Sequence, residues 1–283
     1  MRPGHRPERL LSAATAVVIA AGVLTPAASS AQTSSSTWAS DNWRYAASVY
    51  GYLPSIGGKT SFPADSGGSP INITAEKIVD SLKFTFMGAL DAHNGRWGVF
   101  TDLIYLDLGG GKSASRDFTI GNIGLPAGTT ADLEWDLKGW VWTLAGEYRL
   151  PSDPAFTVDA LAGIRMFDLT QTLRWNISGN LGPIAPSGRS GSAEIGDTLW
   201  DGIVGVKGRY SFGANREWAV PFYLDVGAGN SDRTLQSAIG IGYAFKWGEL
   251  TGMYRYLDYK MKSGQAIQEM NFSGPLIGAT WRW

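Results

Sequence analysis

The chain has 283 residues, of which 44% are hydrophobic, 12% aromatic and 17% charged, and its formal net charge is −1. This composition argues against an intrinsically disordered chain, and the near-neutral charge gives no support for a nucleic-acid partner. The absence of cysteine excludes disulfide frameworks, thiol nucleophiles and cysteine-ligated metal centres. The sequence is rich in Trp (12 residues) and Gly (37 residues), and an excess of Trp and Tyr is typical of membrane interfaces and of carbohydrate sites.

The first 31 residues have the pattern of a secretory signal peptide. Arg2, Arg6 and Arg9 precede an uncharged apolar run from Leu10 to Ala28, and small residues follow up to Ala31. This order predicts export with cleavage after Ala31, so that residues 32–283 form the mature protein. An uncleaved N-terminal membrane anchor is the alternative, and the small-residue site argues against it.

The rest of the chain alternates between apolar and small or polar residues with a period of two, which is typical of β-strands. The clearest case is 235–247, where Ile239 and Ile241 share one face and Gly240 and Gly242 share the other. We predict an all-β antiparallel transmembrane barrel of ten strands, with eight or twelve as alternatives. The predicted strands span residues 43–53, 83–93, 96–108, 132–150, 155–174, 194–212, 217–229, 235–247, 249–262 and 268–283.

The segment 54–82, between the first two strands, is the main source of the alternatives. It could hold an extra hairpin, formed by Ile56–Phe62 with Ile71–Thr74, or an inward plug. Ile78, Val79 and Leu82 have helical spacing, so Thr74–Leu82 is predicted as one short loop helix.

Short and long connections alternate through the first six strands. Four short turns are predicted at Asn94-Gly95, Pro151–Pro154, Gly213–Asn215 and Trp247-Gly248, and three long segments at 54–82, 109–131 and 175–193. Outer-membrane barrels have short periplasmic turns and longer extracellular loops. Counted from a periplasmic N-terminus, all four short turns fall on the periplasmic side. The pattern therefore predicts a barrel in the bacterial outer membrane.

A charged side chain that faces lipid at mid-depth costs about 2–4 kcal/mol, so charges in the middle of strands are expected to point into the lumen. In most strands the residues on the opposite face are then apolar, as expected for a face in contact with lipid. In 235–247 the small residues of the other face suit a narrow lumen. Three charged residues are an exception, because they share the strand parity of Trp140: Glu134, Asp136 and Lys138. We expect these three to lie beyond the outer surface of the membrane. The candidate lumen charges are Asp91, Asp102, Glu147, Asp159, Arg165, Asp201, Lys207, Arg209, Asp225 and Arg255.

Trp residues fall at both ends of the predicted strands, as two interfacial belts require. The outer belt is predicted to contain Trp135, Trp140, Trp142, Trp175 and Trp200. The periplasmic girdle is predicted to contain Trp43, Trp97, Trp218, Trp247, Trp281 and Trp283. A soluble β-sandwich with scattered core Trp is the alternative fold, and it would not sort Trp by strand end.

The last strand alternates Ile277, Ala279, Trp281 and Trp283 with Gly278, Thr280 and Arg282, and it ends on an aromatic residue. It resembles the terminal strand that the outer-membrane assembly machinery recognises in Gram-negative barrels. Together with the segments 94–108, 254–259 and 274–278, it resembles a largely uncharacterised family of proteobacterial outer-membrane β-barrel proteins. The resemblance implies the fold, the location and assembly through the C-terminal strand, and it carries over no functional residues.

Enzymatic barrels combine His with Ser or Asp near the outer leaflet, and this chain has only His5 and His93. His5 lies in the predicted signal peptide and His93 in a predicted periplasmic turn, so we expect no enzyme, no metal site and no cofactor.

The leading hypothesis is a monomeric structural or surface-interaction barrel in contact with outer-membrane lipid and lipopolysaccharide, and any binding would be done by its long loops. A narrow channel for small anionic solutes is the second hypothesis, and a surface lipid-modifying enzyme is the third. The channel hypothesis rests on the basic lumen candidates Arg44, Lys83, Arg165, Lys207, Arg209 and Arg255.

Overall fold

The computed structural model describes residues 43–60, 69–115, 119–120, 123–124, 129–179, 190–263 and 267–283. The predicted signal peptide and its cleavage site lie outside the described residues, as do parts of the predicted segments 54–82, 109–131 and 175–193. In the part of the chain that is described, no helix is long and apolar enough to cross a membrane.

The chain forms a closed antiparallel barrel of ten strands, to which a two-stranded hairpin is added. The first strand pairs with the last from Ala46↔Arg282 to Tyr52↔Leu276, and this pairing closes the barrel. The elements in chain order are β1 (Arg44–Tyr52), β2 (Ser55–Thr60), β3 (Ser69–Ile73), α1 (Ala75–Ser81), β4 (Leu82–His93), β5 (Trp97–Ser115), β6 (Thr119–Ile120), β7 (Ile123–Gly124), β8 (Thr129–Arg149), β9 (Phe156–Gly179), β10 (Ser190–Phe212), β11 (Trp218–Gly229), β12 (Arg233–Ala244), β13 (Glu249–Lys260) and β14 (Ile267–Arg282).

The prediction of a ten-stranded barrel is confirmed, and so is the short loop helix. Thr74 is the N-cap of α1, and its side chain accepts a hydrogen bond from the amide of Lys77, which explains why the helix begins there. The extra hairpin that 54–82 could contain is formed by β2 and β3. β2 continues along β14 where β1 ends, because Leu53 and Pro54 interrupt the ladder.

The barrel has two different ends. At one end, here called the turn end, the four connections 94–96, 150–155, 213–217 and 245–248 are short, and β1 and β14 also meet there. At the opposite end, here called the far end, the strands have unequal lengths. β5, β8, β9 and β10 have 19, 21, 24 and 23 residues, whereas β11, β12 and β13 have 12 each. We call the four long strands the tall wall.

The outward face is apolar over the middle of the strands, and aromatic rings border it. Ile239, Ile277 and Val204 are 61%, 69% and 58% exposed on this face. At the turn end a run of neighbouring rings connects Tyr210, Phe212, Trp218, Tyr243, Phe245, Trp247 and Trp281. All six predicted girdle residues, Trp43, Trp97, Trp218, Trp247, Trp281 and Trp283, are exposed at this end.

The second group of Trp residues requires a correction. Trp140 and Trp200 are exposed on the outward face, and Trp142 packs edge-on against Trp200. Trp135, however, packs against the buried core, and Trp175 is partly buried beside Gly191, so the prediction that both belong to an outer belt is wrong. Their positions in β8 and β9 have the parity of inward-facing residues, and strand parity rather than strand end decides where they point.

Inside the barrel, the half next to the far end is filled with apolar side chains. We call this layer the apolar plug. On each strand it lies further from the turn end than the polar inward residues do; on β5, for example, Asp102 precedes Leu108. The plug includes Ile56, Ile78, Leu108, Phe167, Leu199, Leu257, Tyr259 and Met270. β2 and α1 each insert one buried isoleucine, so the segment between β1 and β4 contributes to closing the lumen.

Candidate functional site

The polar half of the lumen surrounds a cavity of about 360 Å³ near the turn end. We call it the lower cavity. Its wall combines charged groups from seven strands with small residues such as Ala46, Ser48 and Ala89. Small side chains on some strands leave space for long charged side chains from others, which is how a narrow barrel holds both.

The ten candidate lumen charges all have the inward parity of their strands. Seven are buried: Asp102, Glu147, Asp159, Arg165, Asp201, Asp225 and Arg255. The other three are partly buried and line the lower cavity: Asp91, Lys207 and Arg209. The structure groups nine of them into ion pairs. Asp201 is different, because its carboxylate accepts hydrogen bonds from the amide and hydroxyl of Ser231 and thereby fixes the β11–β12 turn.

Two ion pairs lie at the boundary between the cavity and the plug. Arg165 forms a two-point pair with Asp225 and also donates to Thr143 at 3.1 Å. Arg255 donates to Asp102 at 2.6 Å and to Gln236 at 2.8 Å, and Tyr50 donates to the same Asp102 at 2.5 Å. Because each guanidinium has several acceptors, both charges are compensated inside the barrel.

Sequence reasoning missed three charged residues of the lumen. Glu249 is almost fully buried and accepts from Arg209 at 2.5 Å and from Arg282 at 3.0 Å, at the cavity mouth. Arg149 forms a two-point pair with Asp159 at 2.7 and 2.8 Å. Glu249 and Arg149 share the strand parity of the candidates Arg255 and Glu147, so the parity rule could have found these two if it had been carried to the strand ends. Arg282 lies on β14, where no candidate had been identified.

His93 requires a second correction. It was expected in a periplasmic turn, but it is the last residue of β4 and its side chain is 5% exposed inside the barrel. Its Nε2 atom lies 3.4 Å from Asp159, and Glu147 is close to both. The Asn94-Gly95 turn begins only after His93, so the histidine keeps the inward direction of Asp91.

Lys83 also differs from its expected position in the lumen. A register irregularity between Leu82 and Phe84 turns Lys83 outward, where it pairs with Asp136. Asp136 also accepts from Arg174 at 2.6 Å, and Lys138 lies 3.7 Å from Asp107. We call these five residues the outer charge band. The hydrogen bond from Lys83 lowers the pKa of Asp136 below the ordinary carboxyl value, so this pair stays ionised in mildly acidic solution.

The outer charge band follows the outward aromatic residues Phe84, Tyr105 and Trp140 toward the far end. Its two carboxylates are each 15% exposed, whereas the three cations are each at least 51% exposed. The band therefore presents positive charge outward and keeps its acids close to the strands. Glu134, Asp136 and Lys138 all continue the outward parity of Trp140 with no register shift in β8.

The apolar plug leaves little free space above the lower cavity. The void between Tyr52, Met87, Val141, Phe167 and Phe272 has a volume of about 30 Å³, which is room for roughly one or two water molecules. Its lining is almost entirely apolar, and such voids do not retain water. In the part of the chain that the structure describes, the lower cavity is therefore closed toward the far end.

These features define the class of protein: a ten-stranded β-barrel of the outer-membrane type, with an apolar outward face and a filled lumen. No protein-family model matches the sequence, and no curated protein shows a significant match.

Several solved structures share the barrel architecture. The outer-membrane protease OmpT of Escherichia coli is 12% identical, with 86% of this chain and 97% of that chain covered and a TM-score of 0.49. The attachment invasion locus protein Ail of Yersinia pestis is 12% identical over 86% of this chain and 100% of its own, with a TM-score of 0.31. The translocator domain of the autotransporter NalP of Neisseria meningitidis is 16% identical over 85% and 88%, with a TM-score of 0.36.

Proposed function

We propose that this chain is a non-conducting, non-enzymatic barrel of the bacterial outer membrane that holds the tall wall and the β2–β3 hairpin at the cell surface for interaction. The observation that carries the proposal is the apolar plug, which fills the lumen above the lower cavity. The channel hypothesis requires a passage through this layer. It also loses one of its basic residues, because Lys83 faces outward.

The tall wall supports the surface role. A strand of 24 residues, the length of β9, is about 80 Å long, and a tilt of about 40° leaves roughly 60 Å along the barrel axis. The apolar band of an outer-membrane barrel is only about 25 Å tall. Most of the far end of the wall therefore extends beyond the lipid. Short turns are periplasmic in such barrels, so we assign the turn end to the periplasm.

The outward face supports lipid as the main partner. Its aromatic rings at the turn end and around Trp140 fit the two interfaces of a bilayer. The cations of the outer charge band would then lie at the headgroup level of the outer leaflet, where lipopolysaccharide carries phosphate. We propose a monomer, because the outward face of the barrel suits lipid around its whole circumference.

Planar-bilayer recordings test the closed lumen. We expect no unitary conductance steps from the purified protein, and reproducible steps would show that a passage exists and favour the channel hypothesis. Deletion of residues 55–73, which removes the hairpin with Ile56, is the matched variant. It is expected to raise the conductance, because one part of the plug is lost.

Single-cysteine labelling tests the orientation, since the sequence contains no cysteine that would react. Asn176 lies near the far end of β9 and Arg216 in a turn at the opposite end, and both are exposed. We expect a membrane-impermeant maleimide to label N176C on intact cells and to label R216C only after the outer membrane is disrupted. The reverse pattern would contradict the proposed orientation, and labelling of neither variant would contradict surface exposure.

A further inference from the structure

Three potential metal ligands meet inside the barrel near the turn end, and none of them is needed for the proposed surface role. His93, Glu147 and Asp159 each offer a ligand atom, and these atoms all lie within 4.8 Å of one another. All three side chains are at least 95% buried. They come from three different strands, so the barrel wall itself holds them in place.

Strand register explains how these residues meet. His93 of β4 pairs with Gly98 of β5, and Gly98 pairs in turn with Glu147 of β8. A Cβ atom at position 98 would lie 2.5 Å from Cδ2 of His93 and 2.9 Å from a backbone oxygen of Ala92. The missing side chain of Gly98 therefore makes room for the imidazole ring and lets it lie next to Glu147.

Several polar atoms of His93 and Glu147 have incomplete hydrogen bonding. Among the described residues, Nδ1 of His93 and Oε2 of Glu147 are buried without a hydrogen-bond partner. Nε2 of His93 has only Asp159, at 3.4 Å, and Oε1 of Glu147 has only the ion-pair contact with Lys207. Leaving a buried polar group unsatisfied costs free energy, so such groups point to a bound species that supplies the missing interactions. An imidazole with two carboxylates is a donor set that suits zinc and related first-row ions.

The neighbouring charges permit a divalent ion. Lys207 lies 2.5 Å from Glu147 but also pairs with Asp91, so it keeps a partner if Glu147 turns to a metal. Arg149 bonds both oxygens of Asp159 and can retain one of them. The carboxylates of Asp91, Glu147 and Asp159 outnumber the cations of Lys207 and Arg149 by one, which favours uptake of a cation.

We propose that His93, Glu147 and Asp159 bind one divalent first-row transition-metal ion, with Zn²⁺ as the reference ion. Three protein ligands leave a further coordination position for water, as in open zinc sites. Asp159, Arg149 and Lys207 line the lower cavity, so the ion enters from the turn end. The site would be filled from the periplasm if the orientation proposed above is correct, but binding itself does not depend on that orientation.

Titration of the detergent-purified protein, chelator-treated and carrying a tag without histidine, tests the proposal. Calorimetry should show one Zn²⁺ per chain, and Co²⁺ should give the visible absorption of a nitrogen- and oxygen-ligated ion. H93Q should weaken binding at least tenfold. E194Q changes an exposed carboxylate on the outward face of β10, outside the cluster, and should leave binding unchanged. Heat-modifiable gel migration of each variant checks that the barrel has folded.

A second variant protects the test against a folding defect in H93Q. G98A keeps every ligand but displaces the imidazole ring, so it should also weaken Zn²⁺ binding, and heat-modifiable migration checks that the barrel tolerates the contact with the Ala92 backbone. If the wild-type protein binds neither ion, or binds equally well with H93Q, the proposal is wrong. In the first case direct contacts among the three side chains would account for the cluster instead.

Discussion

Arg165 of β9 and Asp225 of β11 form an ion pair that spans the inner face of β10, and neither side chain is exposed at all. Thr143 and Thr234 supply further acceptors for the guanidinium group. The pair lies next to the apolar plug, where Tyr259 and Phe167 pack against each other. It therefore connects three strands at the boundary between the polar and apolar halves of the lumen.

Removal of one member of this pair should be strongly destabilising. R165M leaves Asp225 as a buried charge with no cationic partner, and such changes cost about 3–5 kcal/mol. Urea unfolding in lipid vesicles, followed by Trp fluorescence, measures the loss. R233Q is the matched control, because the Arg233–Asp258 pair is exposed and should contribute no more than about 1 kcal/mol. Equal losses in both variants would contradict a special role for burial.

A charge in the middle of the outward face should oppose insertion into lipid. Val204 and Glu194 lie on the same strand and the same face, but only Val204 belongs to the apolar zone. V204R should reduce the free energy of folding into vesicles by about 2–4 kcal/mol, and E194R should change it little. If V204R were as well tolerated as E194R, this part of the face would not be in contact with lipid.

Helix α1 allows a test of its role in closing the lumen. Ile78 is 1% exposed within the apolar plug, whereas its neighbour Val79 is 53% exposed. I78A should destabilise the protein by about 2–5 kcal/mol because it leaves a cavity among packed side chains. V79A should have little effect. Thermal unfolding of both variants measures the difference, and similar midpoints would show that α1 is not an essential part of the plug.

The outer charge band should bind phosphorylated lipid. The triple variant K83Q/K138Q/R174Q removes its three exposed cations and should lower the affinity of the purified protein for lipopolysaccharide at least tenfold. R216Q/K246Q is the control, because both residues are exposed in turns at the opposite end. High salt should reduce the difference between the variants, since screening weakens exposed charges. Equal affinity of the triple variant and the wild type would contradict this assignment.

Much of the barrel follows from local patterns in the sequence. A period of two places alternate side chains on opposite faces, and turn residues such as Asn94-Gly95 mark where strands reverse. These two rules predicted all ten barrel strands. They placed the ends less well: the predicted strand 235–247 ends at Ala244, and strands β5, β8, β9 and β10 extend into segments that were predicted as loops.

The tertiary structure decided what the alternation could not. Lys83 points outward because the pairing of β4 with β5 is irregular next to it. Trp135 points inward because the alternation of side chains in β8 continues beyond the apolar part of the outward face. The apolar plug joins residues from distant strands with Ile56 and Ile78, which local periodicity leaves unassigned.

The sequence by itself determined which residues alternate, where the chain turns and which charges share a strand face, because these properties depend on neighbours along the chain. Only the tertiary structure decided that apolar side chains fill the described part of the lumen beyond the lower cavity and that His93 lies beside Glu147 and Asp159. The contact between His93 and Glu147 depends on the register of β4, β5 and β8. It also depends on the space that Gly98, which has no side chain, leaves for the imidazole ring. The Trp and Gly excess is explained in the same way: most Trp residues border the apolar outward face, and several Gly residues make room inside the barrel wall for larger neighbours.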